Sequence, residues 1–214
     1  MIVVTPAAPV HTHEASRVLA GALREDAMMS AFVGGALDER EERLTHLYRE
    51  FVRSGLRHGA VDVARAEGSP AILGVAVWSA PGHPGGGLSN QLRGLGSYLR
   101  AFGLRRLFSS RALDKALHAA RPSEPHWYLA VIGVSAQGRG HGVGSALLES
   151  RLSTIDQSGA AAPAYLEAST ERSAALYARF GFTPMGIVPG FPQKVEPVAM
   201  WRRGACDRSA ARQK

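Results

Sequence analysis

The run GVSAQGRGHGVGSALL, residues 133–148, sets glycines at 138, 140, 142 and 144 between an apolar segment and a helix-like one. A loop so bare exposes its backbone amides, and where a helix begins it adds the positive end of the helix dipole. The chemistry on offer is anion binding, phosphate above all. Spacing excludes two phosphate-binding patterns. G-x-G-x-x-G fails from Gly138, which would need glycine at Val143, and from Gly140, which would need it at Ser145. G-x-x-x-x-G-K-[ST] fails because the chain contains no Gly-Lys pair.

The elements that must hold this loop read as follows. HWYLAVIGV before it is a near-continuous apolar run of strand length, as in a strand buried on both faces. A helix follows from about Val143 to Ile155, then a strand AYLEAS, a helix SAALYARF, and a strand pair closing with PVAMWR. Upstream lie a short strand at Ile2–Val4 and a helix with Ala15, Val18, Leu19, Ala22 and Leu23 on one face, Thr12 its expected cap. A second helix carries Leu44, Leu47, Tyr48, Phe51 and Val52. AVDVARA and AILGVAVWSA flank EGSP as an antiparallel hairpin. The order predicts one α/β (α+β) domain over residues 1–203, a mixed sheet of six to seven strands flanked by helices, with a helical insert at about 82–121 and a basic, disordered tail at 204–214. Leu92, Leu95, Leu99 and Phe102 form a stripe within that insert.

Composition bounds the function. The chain of 214 residues, 45% hydrophobic and 20% charged, suits one core. No apolar run approaches the ~20 residues of a membrane span, and the start lacks a signal leader, so a cytoplasmic protein with no membrane partner is expected. The lone Cys206 offers neither disulfide nor thiolate cluster, and no metal is expected. Of the net charge of +7, most sits at the end, where Arg202, Arg203, Arg208, Arg212 and Lys214 face the single Asp207; nucleic acid is therefore not expected as a partner.

The loop resembles the acyl-CoA loop of the GNAT N-acetyltransferases, V-x-P-x-x-[QR]-G-x-G-x-G. Counting from Val134 without a gap places Arg139, Gly142 and Gly144 in the pattern, with Ala136 for the usual proline; the alternative register on Gln137, Gly140 and Gly142 leaves too few residues after Val134. YLEASTERSAALYARFGF resembles the family's second signature, with Tyr177 at its tyrosine and Ser173 where asparagine is usual. VAVWSAP, RPSEPHWYLAVIGVS, YLEAS and YARFGF together resemble the puromycin N-acetyltransferase-like members.

That resemblance implies the GNAT fold, mostly antiparallel with a splayed central strand pair, and acetyl-CoA as co-substrate. It implies transfer of acetyl to a primary amine of a small molecule by direct attack in a ternary complex, an aminonucleoside antibiotic being one candidate. The pyrophosphate would lie on Arg139, Gly140, His141, Gly142, Val143, Gly144 and Ser145, and the pantetheine against Ile132, Gly133 and Val134, with a bulge expected at Gly133 and Ser173 beside the cofactor. Tyr177 would protonate the departing thiolate. Glu167, alternating with Tyr165 and Ser169 on one strand face, and Glu124 are both candidates for the base, with Glu167 preferred. A CoA-binding regulatory module and an acetyltransferase of protein amino termini or lysines remain as alternatives, and the protein is expected as a monomer or homodimer.

Overall fold

The structure is a computed structural model and describes residues 1–33, 35–83, 112–158, 162–192 and 195–204. The stripe from Leu92 to Phe102, most of the predicted insert and the basic tail past 204 lie outside the described residues.

Seven strands form one sheet: β1 (Ile2–Pro6), β2 (Gly59–Ala66), β3 (Ile72–Ser79), β4 (Trp127–Val134), β5 (Ala164–Ala168), β6 (Thr183–Ile187) and β7 (Val198–Arg202). Their order is β1-β2-β3-β4-β5-β7-β6, antiparallel at every junction except the parallel β4–β5 pair. The predicted sheet, mostly antiparallel with six to seven strands, is the one observed.

Helices cover both faces. On one side lie α1 (Thr12–Leu23), α2 (Ala27–Val33), α3 (Leu37–His58) and α4 (112–120); on the other lie α5 (Val143–Gln157) and α6 (Glu171–Ala178). In α3 the predicted stripe is the buried one, with Leu44, Leu47, Tyr48 and Val52 in the core. Asp38 and Glu39 in its first turn and Arg57 and His58 in its last complement the helix dipole.

Three local readings need correction. Thr12 does not cap α1 but is its first residue, its hydroxyl donating to Pro9 O at 2.7 Å. The seven-residue α2 was not predicted: AMMSAFV is too short and too uniformly apolar to show a period. Its start is written instead in Asp26, whose Oδ1 accepts from Met29 N–H at 2.9 Å as an N-cap does. The β4 bulge falls not at Gly133 but at Ala130, since Val77 pairs Val131 and Trp78 pairs Leu129. Gly133 serves close packing: a Cβ there would meet Leu19 Cδ2 at 3.0 Å and Ala22 Cβ at 3.1 Å, so glycine lets α1 lie directly on the strand.

Helix α5 is held at its middle and in its last turn by forked ion pairs. Arg151 of α5 donates to Asp62 of β2 through Nε at 2.8 Å and a terminal nitrogen at 2.5 Å. Arg202 of β7 donates to both oxygens of Asp156. Leu147, Leu148, Leu152 and Ile155 fill the interface with the sheet. The glycine loop therefore enters a helix whose position is fixed.

Candidate functional site

The loop between β4 and α5 is built from backbone. Ser135 caps a short turn at 136–138, its hydroxyl accepting from Gly138 N–H at 3.3 Å. Gly138 is buried there, and a Cβ would meet Leu73 O at 2.9 Å and Val134 Cγ1 at 3.0 Å. Gly140 and Gly142 have φ of +79° and +76°, a region that favours glycine, and Gly142 is the N-cap of α5. The first amide to close on the helix is Ala146 N–H, onto Gly142 O at 2.9 Å, so the amides of Val143, Gly144 and Ser145 precede the helical ladder. Around Gly140, nothing lies within 4 Å of where a Cβ would stand, and the same holds at Gly142. Arg139 and His141 are exposed beside this surface. Arg139 reaches back to Ala22 O at 3.4 Å, and the His141 ring lies 2.9 Å from Arg139 O.

Strands β4 and β5 pair only at Trp127 with Ala164 and Tyr128 with Tyr165, then separate. The splay expected of the central pair is present. Ser135 N–H bonds Leu73 O at 2.8 Å, so by strand alternation Gly133 and Val131 face β3, and Ile132 and Val134 turn their amides into the opening. A cavity of about 130 Å³ passes through this opening. Leu129, Leu166 and Tyr177 line it from the α5–α6 side, and Tyr48, Phe51 and Leu117 from the α1–α4 side.

Of the predicted catalytic groups, Tyr177 and Glu167 both line this cavity; Glu124 is exposed in the turn before β4 and does not. Ser173 is engaged in the N-terminal cap of α6. Its amide donates to Thr170 Oγ1 at 3.1 Å, and its own hydroxyl accepts from Thr170 N–H at 3.1 Å.

The sequence profile of the acetyltransferase (GNAT) family matches residues 38–182. The chain belongs to the GNAT acetyltransferase family. It is similar to a Corynebacterium glutamicum histone acetyltransferase HPA2 and related acetyltransferase, at 29% identity over 95% of this chain and 97% of that one, with a TM-score of 0.72. The same fold recurs in arylalkylamine N-acetyltransferase 2 of Aedes aegypti (12% identity, 94% and 97% covered, TM-score 0.61). It recurs again in the Drosophila melanogaster polyamine N-acetyltransferase that forms N-acetylagmatine (18%, 94% and 98%, TM-score 0.55).

The electrostatics of this acetyltransferase divide along the cavity. Burial, and secondarily the charge of Asp26, push the Tyr177 phenol above its ordinary pKa, so it holds its proton through the neutral range. The Glu167 side chain is 3% exposed. Its Oε2 accepts from the Tyr128 hydroxyl at 2.9 Å, and its Oε1 lies 3.5 Å from Arg121 Nε. Burial raises its pKa and the Arg121 charge works against that rise. The Arg121 guanidinium in turn stacks on the Tyr128 ring, 3.7 Å from its centroid.

Three groups on the walls escaped sequence reasoning. Asp114 sits in the predicted insert, where no motif marks it, and Arg121 opens the segment RPSEPHWYLAVIGVS without a role having been read from it. Asp26 carries the N-cap signal of an unpredicted helix and accepts from Ser169 Oγ at 2.7 Å. No helix among the described residues is long and apolar enough to cross a membrane, and none of their His, Cys, Asp and Glu clusters could hold a metal.

Proposed function

We propose that the protein transfers acetyl from acetyl-CoA to a primary amine on a small molecule, both substrates bound at once. The observation that carries this reading is the cavity running through the β4–β5 opening, with Tyr177 on the loop side and an apolar chamber on the other.

The residues present fit the co-substrate. The amides of Val143, Gly144 and Ser145 at the start of α5, with left-handed Gly140 and Gly142 keeping side chains away, would take the pyrophosphate, and Arg139 and His141 would add charge or donors at its edge. Gly138 packs on Leu73, which explains that glycine without a ligand and supports the register anchored on Arg139. Ile132 and Val134, on either side of Gly133, would pair with the pantetheine arm as a missing strand does. Ser173, whose hydroxyl serves the α6 cap, would contribute by its place beside the arm.

Acetyl-CoA supplies a thioester: the amine nitrogen forms a bond to its carbonyl carbon and the C–S bond breaks. Val134 N–H would stabilise the developing oxyanion. Glu167 would take the ammonium proton through water, burial raising its proton affinity above that of an ordinary carboxylate. Tyr177 would give its proton to the leaving sulfur and recover one from the new amide nitrogen, so that one proton in all passes to solvent. Glu124, exposed and away from the cavity walls, is set aside as the base.

The apolar walls and small volume of the chamber, about 130 Å³, support a small amine over a protein terminus or lysine. The likeness to puromycin N-acetyltransferase-like members supports an aminonucleoside among the acceptors. A screen of primary amines, puromycin included, for CoA thiol release tests both levels. Release with arylalkyl or aminonucleoside amines is the expected result, and release only with peptides would overturn the small-amine reading.

A further inference from the structure

The chamber holds a polar atom for which the described residues give no use, the hydroxyl of Tyr48. Tyr48 of α3 is 1% exposed, its ring packs edge-on against Phe51 with centroids 6.0 Å apart, and its hydroxyl has no hydrogen-bond partner among the described residues. Leaving a buried hydroxyl unpaired costs about 1–3 kcal/mol, so a phenylalanine would pack here more favourably unless something else meets the oxygen. Tyr48 lines the cavity.

Asp26 stands on the same wall. One of its oxygens caps α2 and the other accepts from Ser169 at the end of β5, so the carboxylate is fixed in place. Among the described residues no Lys, Arg or His lies within ion-pair distance of it. This contrasts with Glu167, which has Arg121. Burial first, and the Asp26 charge second, push up the phenols of both Tyr48 and Tyr177, which line the same cavity. Met28, Met29 and Phe32 of α2 continue the wall beyond it. An unpaired carboxylate and an orphaned phenol oxygen, both lining one largely apolar chamber, are what a primary ammonium on an apolar body would satisfy, with N–H donors for both.

We infer that Asp26 and Tyr48 together seat the ammonium group of the acceptor, holding an arylalkyl-type amine in the chamber before acetyl transfer. The inference rests on the proposed function for its placement of the acceptor, but binding and turnover can be read separately. Asp26→Asn keeps the oxygen that caps α2 and removes the charge. Tyr48→Phe removes only the unpartnered oxygen.

The test is equilibrium binding of 2-phenylethylamine and of its uncharged analogue 2-phenylethanol to the full chain loaded with CoA, with the melting temperature of each variant measured alongside. The parent should bind the amine at least tenfold more tightly than the alcohol. Asp26→Asn should abolish that preference, and Tyr48→Phe should weaken amine binding about tenfold while melting no lower than the parent. A parent with no preference for the amine, or a Tyr48→Phe variant that melts lower and binds the amine unchanged, would overturn the seat. An intact preference without acetyl transfer would instead sink the transferase assignment of this chamber and leave the seat standing.

Discussion

The two halves of the cavity are made of different material. On the loop side the contacts offered are backbone: the first amides of α5, the turned-out amides of β4, and glycines that keep the surface bare. On the acceptor side they are side chains drawn from α1–α4, β4 and β5, each positioned by packing. A backbone site depends on helix placement and φ angles, a side-chain site on individual rotamers and charges. The first should therefore fail through geometry and the second through single atoms.

The largest effect expected on the backbone half comes from outside it. Arg151→Ala would leave the Asp62 carboxylate, 3% exposed, without its cation, a loss of about 3–5 kcal/mol of stability for a broken buried pair. Because that pair holds α5, saturating acetyl-CoA should recover part of the lost melting temperature, and saturating amine should not. Equal recovery by both would show that α5 does not belong to one half alone.

Next is the loop itself. Gly142→Val puts a β-branched residue at φ of +76°, yet its Cβ would meet no atom of the described residues beyond its chain neighbours within 4 Å, so the cost falls on the loop conformation and on the approach of a phosphate. Acetyl-CoA affinity should drop by about 2–3 kcal/mol, roughly a hundredfold, with little change at the amine seat, as calorimetry would read. Tyr177→Phe should do the reverse. Acetyl-CoA binding stays and kcat falls about a hundredfold, the usual scale for loss of a general acid. An unchanged kcat would remove Tyr177 from the chemistry.

How much of each half could be read from the chain follows from the same difference. The loop was legible because glycine spacing is a local signal and the backbone it frees lies within those residues. The hairpin and the α3 stripe are likewise local, written in alternation around a turn and in a 3.6-residue period, whereas the splayed pair was expected only from the resemblance to the family. Asp26, Asp114 and Arg121 carry no such mark: they meet Tyr48 and Glu167 only because separate helices pack on one face of the sheet. Even Gly133 was given the wrong reason, since its need for glycine lies in Leu19 and Ala22, more than a hundred positions away. Nor does any pattern reveal that the Ser173 hydroxyl is occupied by Thr170.

The smallest effect should separate two carboxylates that look alike in the sequence. Glu167 lies on one central strand and Glu124 just before the other, and either could be named a base, but one is sealed beside Arg121 and Tyr128 and the other faces solvent. Burial raises the proton affinity of Glu167, so the acid limb of kcat/KM should lie above the ordinary carboxylate range, with activity lost as pH falls through it. Glu167→Gln should lower kcat/KM about tenfold or more and erase that limb. Glu124→Gln should stay within about twofold of the parent at every pH and leave the limb where it was, as surface substitutions do. If the limb instead followed Glu124, the proton would leave by the exposed turn before β4, and the acceptor half would owe its chemistry to solvent-facing charge.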